Sequence, residues 1–168
     1  RFMETIVKST LLTLQKSKHL LSKLTNEELS NRSVSPYYSS IGSHIRHIYD
    51  FYDCILNIDV NAKIDLTSRK RDLSVEVCCD SATRYLNRIL ESLKIFENNL
   101  KDPIVVIDDL GSGKIEIYYT YSALLAQANS HTIHHYAIIG YIVDRLTIEI
   151  EDLDFGYNPN TPKRIVSY

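Results

Sequence analysis

The sequence has no excess of charge, no long apolar run and no cysteine framework, and each absence narrows what the chain can be. Nineteen basic against twenty-one acidic side chains leave a formal net charge of −2, which supplies no electrostatic pull toward nucleic acid or an anionic membrane. The one basic cluster, Arg69-Lys70-Arg71, is short and reads as a solvated loop. No uninterrupted apolar run reaches the ~18–20 residues that span a bilayer. A signal-peptide layout is missing too, since Lys8, Thr13 and Lys16 interrupt the first apolar positions. Cys54, Cys78 and Cys79 are odd in number and two are adjacent. They match neither a disulfide framework nor a zinc ribbon and read as buried, reduced thiols. The expectation is a cytoplasmic protein with no nucleic-acid or membrane partner. Internal repeats and low-complexity tracts are also lacking.

What is present suits a globular fold. A chain of 168 residues, 44% hydrophobic and 24% charged, is long enough for one domain with a proper core, spanning 1–168. Four stretches carry apolar residues at helical spacing. The first, Phe2 to about Leu24, contains no Gly or Pro and is amphipathic. Thr25 and Glu28 predict a capping box on a short extra turn. After a Ser-rich loop ending at Pro36, a second helix is predicted from Ser39 or Ser40 to about Ile58. Residues 59–72 are polar and read as a long connecting loop. A third helix is predicted from about Ser74 to Leu100, stopped by Pro103. Ile104–Asp108 and Lys114–Tyr118 flank Leu110-Gly111-Ser112-Gly113 and predict a β-hairpin. A fourth long helix begins near Thr120 or Ser122 and runs to about Leu146. The tail is irregular, with Phe155, Tyr157 and Ile165 placed to lie against the body. Four long helices with loop connections predict an all-α four-helix bundle carrying a short hairpin before the last helix.

The fourth helix holds the most informative stretch, Ser130-His131-Thr132-Ile133-His134-His135-Tyr136. Residues four apart on a helix lie about 40° from each other, so His131 and His135 share a face while His134 turns away by about 100°. Leu124, Ala128, Ile139, Ile142 and Leu146 centre on the side of His131 and His135, so that pair aims inward. Two inward imidazoles can hold a transition metal if another helix adds a ligand, and the second helix offers His44 and His47. Spacing leaves the choice between them open. The competing reading is a set of core or interface histidines hydrogen-bonded to neighbours. Desolvating two imidazoles is unfavourable unless something satisfies their nitrogens, which brings the metal reading level with the competing one and leaves both open. His19 reads as a surface residue, and His134 as solvent-facing or as a neighbour of the ligands.

These residues resemble a family, the DinB-like or YfiT-like metalloenzymes. Ser40-Ile41-Gly42-Ser43-His44-Ile45-Arg46-His47-Ile48 is similar to that family's helix-two motif, and His131-Thr132-Ile133-His134-His135-Tyr136-Ala137 to its helix-four motif. The hairpin and Phe155-Gly156-Tyr157-Asn158-Pro159 also look like a subgroup of it. The resemblance implies a four-helix bundle, a homodimer, and a three-histidine site of His47, His131 and His135 for Zn or Ni, with Fe as a third option. It further implies thiol-dependent transferase-like chemistry on a small-molecule substrate, with a low-molecular-weight thiol as cosubstrate. Metal-dependent hydrolysis and a non-catalytic metal-binding or dimeric interaction protein are the alternatives. No general base stands out; His44, Tyr118, Tyr119 and Tyr121 are the candidates.

Overall fold

In a computed structural model, residues 4–59, 61–96 and 99–162 are described. Helix α1 (Thr5–Lys23) buries Val7, Leu11, Leu14, Leu20 and Leu21, the stripe its spacing predicts. Helix α2 (Asn26–Ser30) opens on the expected capping box: Thr25 Oγ1 accepts from the Glu28 N–H, and Glu28 accepts from the Thr25 N–H. Helix α3 (Ile41–Leu56) starts at Ser40, whose Oγ accepts from the Ser43 N–H. Helices α4 (Ser74–Val77) and α5 (Cys79–Lys94) follow, and α6 (Tyr121–Arg145) is capped by Thr120. The long helices form a ring in which α1 and α3 each pack on both α5 and α6.

The all-α expectation is wrong. Among the described residues there are six helices and a three-stranded mixed sheet, so the fold is mixed α/β. The predicted hairpin is present as β2 (Pro103–Asp109) and β3 (Lys114–Thr120), in register from Pro103↔Thr120 to Asp109↔Lys114. The added strand is β1 (Lys63–Asp65), inside the segment expected to be a loop, and it pairs parallel with β2. Three residues are too few to show a period of two. The strand exists because β2, some forty residues on, offers it a ladder: the Leu66 N–H donates to Ile107 O and the Val105 N–H to Ala62 O. Ile64, Ile104 and Val106 are buried beneath the sheet.

The third helix also departs from expectation. It is broken at Cys78, whose extended φ of −136° and ψ of 113° end α4 and begin α5, and it stops at Lys94, short of Leu100. A buried ion network ties these pieces to α3. Asp50, fully buried, accepts from Arg46 Nη1 at 3.0 Å, Tyr85 Oη at 3.0 Å and the Arg71 N–H at 3.2 Å. Glu76 accepts from Arg46 Nε at 2.6 Å and Arg32 Nη2 at 3.1 Å. Each buried carboxylate is thus paired, as its desolvation requires. In the tail Phe155 is buried and stacks on Tyr136 with ring centres 4.4 Å apart, whereas Tyr157 is exposed. Ile165 lies outside the described residues.

Candidate metal centre

Helices α3 and α6 face each other, and their facing sides carry four of the histidines. On α6 the centre of the buried stripe is Ala128, Thr132, Tyr136 and Ile139. Thr132 Oγ1 donates back to Ala128 O at 2.7 Å, and Tyr136 Oη donates to Thr13 O of α1 at 2.7 Å. His131 and His135 each precede one of these buried residues and are turned about 100° from it, which places them toward one edge of the stripe. They are half-buried and face α3 across a cleft instead of entering the core.

His47, His131 and His135 come together, each offering one ring nitrogen within 4.8 Å of the other two. Their ring centres form a nearly equilateral triangle: 4.9 Å for His47–His131, 4.7 Å for His47–His135 and 4.6 Å for His131–His135. His47 Nε2 and His131 Nε2 are 2.9 Å apart. Nitrogens about 2.0–2.1 Å from one tetrahedral ion are about 3.3 Å apart, so small side-chain adjustments turn this triangle into a ligand set. The residues fit a metal. Among the described residues the cluster contains these three and no carboxylate or thiolate.

Burial holds all four imidazoles below their ordinary pKa of 6.5. His47 falls to about 4, through burial first and then the nearby His131, Arg69, Arg46 and His44. His135 falls to about 3, through burial and then the other histidines. His131 and His44 are lowered by burial and then by His134, with Asp108 opposing the shift at His131. At neutral pH these rings therefore keep lone pairs, as metal ligands must.

The neighbours complete the picture. His44 is outside the triangle but touches it: its Nδ1 is 2.8 Å from His135 Nδ1, and its Nε2 is 2.7 Å from Ser39 Oγ. A His135 that keeps its Nε2 lone pair donates from Nδ1 to His44, and His44 then donates from Nε2 to Ser39. This chain orients a ligand ring from behind, as metal-bound histidines require. His134 is exposed, with its ring 5.4 Å from that of His135, and His19 is exposed beside Glu151. Tyr118 is exposed on β3 and Tyr121 packs on Phe96, so neither serves the site. The thiols of Cys54, Cys78 and Cys79 are free, and burial pushes Cys54 up to about 11.

One residue of the site is missed by sequence reasoning. Arg69 is half-buried, not solvated, and its Nη1 donates to His47 Nδ1 at 2.7 Å. Its neighbours behave differently: Lys70 is exposed and pairs with Asp53, and the Arg71 side chain is exposed. No spacing signal links Arg69 to a histidine 22 positions earlier on another element. Arg69, His47 and His131 border a cleft of about 410 Å³ whose lining also includes the apolar Phe51 and Leu66. Larger clefts of about 780 and 740 Å³ flank Tyr141 of α6, but neither touches a histidine. Size and chemistry do not coincide here.

No protein-family model and no curated protein sequence matches this chain. Among the described residues no helix is long and apolar enough to cross a membrane.

Proposed function

We propose that this protein is a metal-dependent enzyme of the DinB-like kind, holding a divalent transition metal on His47, His131 and His135. Three neutral imidazoles suit Zn, Ni or Fe, and the resemblance implies Zn or Ni first. The observation that carries the reading is the convergence of three half-buried imidazoles from two helices at ligand distances. Three protein ligands are the complement of a catalytic zinc site, whereas structural sites close with four. Bound there, the ion would hold a small thiol as its thiolate or lower the pKa of water toward neutrality. Thiol-dependent transfer to a small electrophile is the favoured reaction.

The chain's own residues supply the rest. Ser39 and His44 fix the His135 ring, Thr132 and Tyr136 anchor α6 beneath the histidines, and Phe51 packs beside His131 with ring centres 5.1 Å apart. The reading brings with it a homodimer in a reducing compartment, the cytoplasm, with which three free thiols accord.

Elemental analysis of untagged protein tests the site. The wild type is expected to carry about one equivalent of metal and His131→Ala almost none. Equal metal content in the two, or none in the wild type after reconstitution, overturns the proposal.

A further inference from the structure

Among the described residues two cations of the cleft beside the histidines, Arg69 and Arg71, form no ion pair, and of the two only Arg69 is half-buried. Lys114 is paired with Asp65 Oδ2 at 3.3 Å. Asp109 Oδ1 accepts from the Gly111 and Gly113 N–H groups, and Asp108 Oδ1 from the Asp109 N–H, so both carboxylates serve the hairpin turn. Among the described residues no carboxylate lies within salt-bridge distance of Arg69. Its Nε is buried with no hydrogen-bond partner, and its Nη1 rests on a neutral imidazole. A buried guanidinium N–H left unsatisfied is costly and calls for an explanation.

The His47 contact is also conditional. Arg69 can only donate, so His47 Nδ1 accepts, and the neutral ring then keeps its proton on Nε2, the atom facing His131. A metal at Nε2 moves that proton to Nδ1, where it would oppose the Arg69 N–H across 2.7 Å. Donor against donor is repulsive, so metal uptake releases the guanidinium into the cleft. There Nε and an Nη become free together, the fork that binds a carboxylate through two parallel hydrogen bonds.

We propose that Arg69 is the anion-recognition residue of this cleft and takes the carboxylate of a small substrate whose apolar part lies on Phe51 and Leu66. Because metal binding frees the guanidinium, this rests on the metal-centre reading. A phosphate offers a similar pair of oxygens, but Phe51 and Leu66 in the lining favour a carboxylate on a partly hydrophobic body.

Calorimetric titration of the zinc-loaded protein with benzoate, benzamide and inorganic phosphate decides it. The wild type binds benzoate; Arg69→Gln weakens that binding about tenfold or more, and Arg69→Lys recovers part of it. Benzamide, equal in shape and neutral, does not bind. Zinc affinity in Arg69→Gln stays at or above that of the wild type, because a competing donor has left His47. Equal benzoate affinity in wild type and Arg69→Gln, or equal binding of benzamide, overturns the assignment. So does a joint loss of zinc and benzoate, which would make Arg69 a support for the histidines. Tighter Arg69-dependent binding of phosphate overturns the carboxylate. Failure of the wild type to take up zinc overturns the metal centre, and with it the release of Arg69 on which this assignment rests.

Discussion

His44 and His47 are three positions apart on one helix, yet they do different work. His47 turns an edge nitrogen to His131, while His44 stands behind His135 and reaches Ser39. Removing a group that orients a ligand weakens metal affinity by about 10–100-fold. His44→Phe keeps an aromatic ring in place but cannot accept from His135 Nδ1. It is therefore expected to weaken zinc binding within that range, measured by competition with a chromophoric chelator. Unchanged affinity would reduce His44 to a bystander.

At the scale of the element, the site depends on how α3 is seated. Gly42, in its first turn, lies against the backbone of Glu76 in α4, and a Cβ there would collide with the Glu76 carbonyl. Backbone cannot rotate aside as a flexible side chain can. Gly42→Ala should therefore cost about 1–3 kcal/mol, as overpacking typically does, read as a lower urea midpoint with an unchanged slope. A midpoint equal to that of the wild type would mean that α3 and α4 separate freely. Gly156 has a comparable role in the tail, where its missing Cβ lets the chain approach the Ala137 backbone of α6. The helices themselves were legible because their stripes are long and their caps are local: Thr25, Ser40 and Thr120 cap as their residue types predict. The break at Cys78 was not legible, since apolar spacing runs through it while the chain there packs on both α2 and α3.

For the whole molecule, the depressed histidines tie stability to pH. In the metal-free protein His47 and His135 titrate near 4 and 3, against 6.5 for the ordinary group. Above pH 6.5 both rings are neutral in the folded and unfolded chain, and their contribution is constant. Below it the unfolded chain takes up protons first, so stability falls as pH drops toward 4 and then 3. Urea midpoints of metal-free protein between about pH 7.5 and 4 should fall, and more steeply than in a His47→Gln, His135→Gln double variant. Identical slopes would show that these rings are not desolvated in solution.

Local sequence was enough for the four amphipathic stripes, the caps at Thr25, Ser40 and Thr120, the hairpin, and the pair His131 and His135 on one helical face. Each is set by residues within a turn or two of one another, where 3.6-residue and two-residue periods apply. It also held the motifs whose resemblance pointed to His47. What depends on elements distant in the chain is set only when folding brings them together. That includes β1 on the edge of β2, the His135–His44–Ser39 chain, and the placement of Arg69 against His47. The physical reason is common to all three. A hydrogen-bond ladder, a ring-to-ring proton and a desolvated guanidinium each need a partner supplied across space, and no local period records where that partner is.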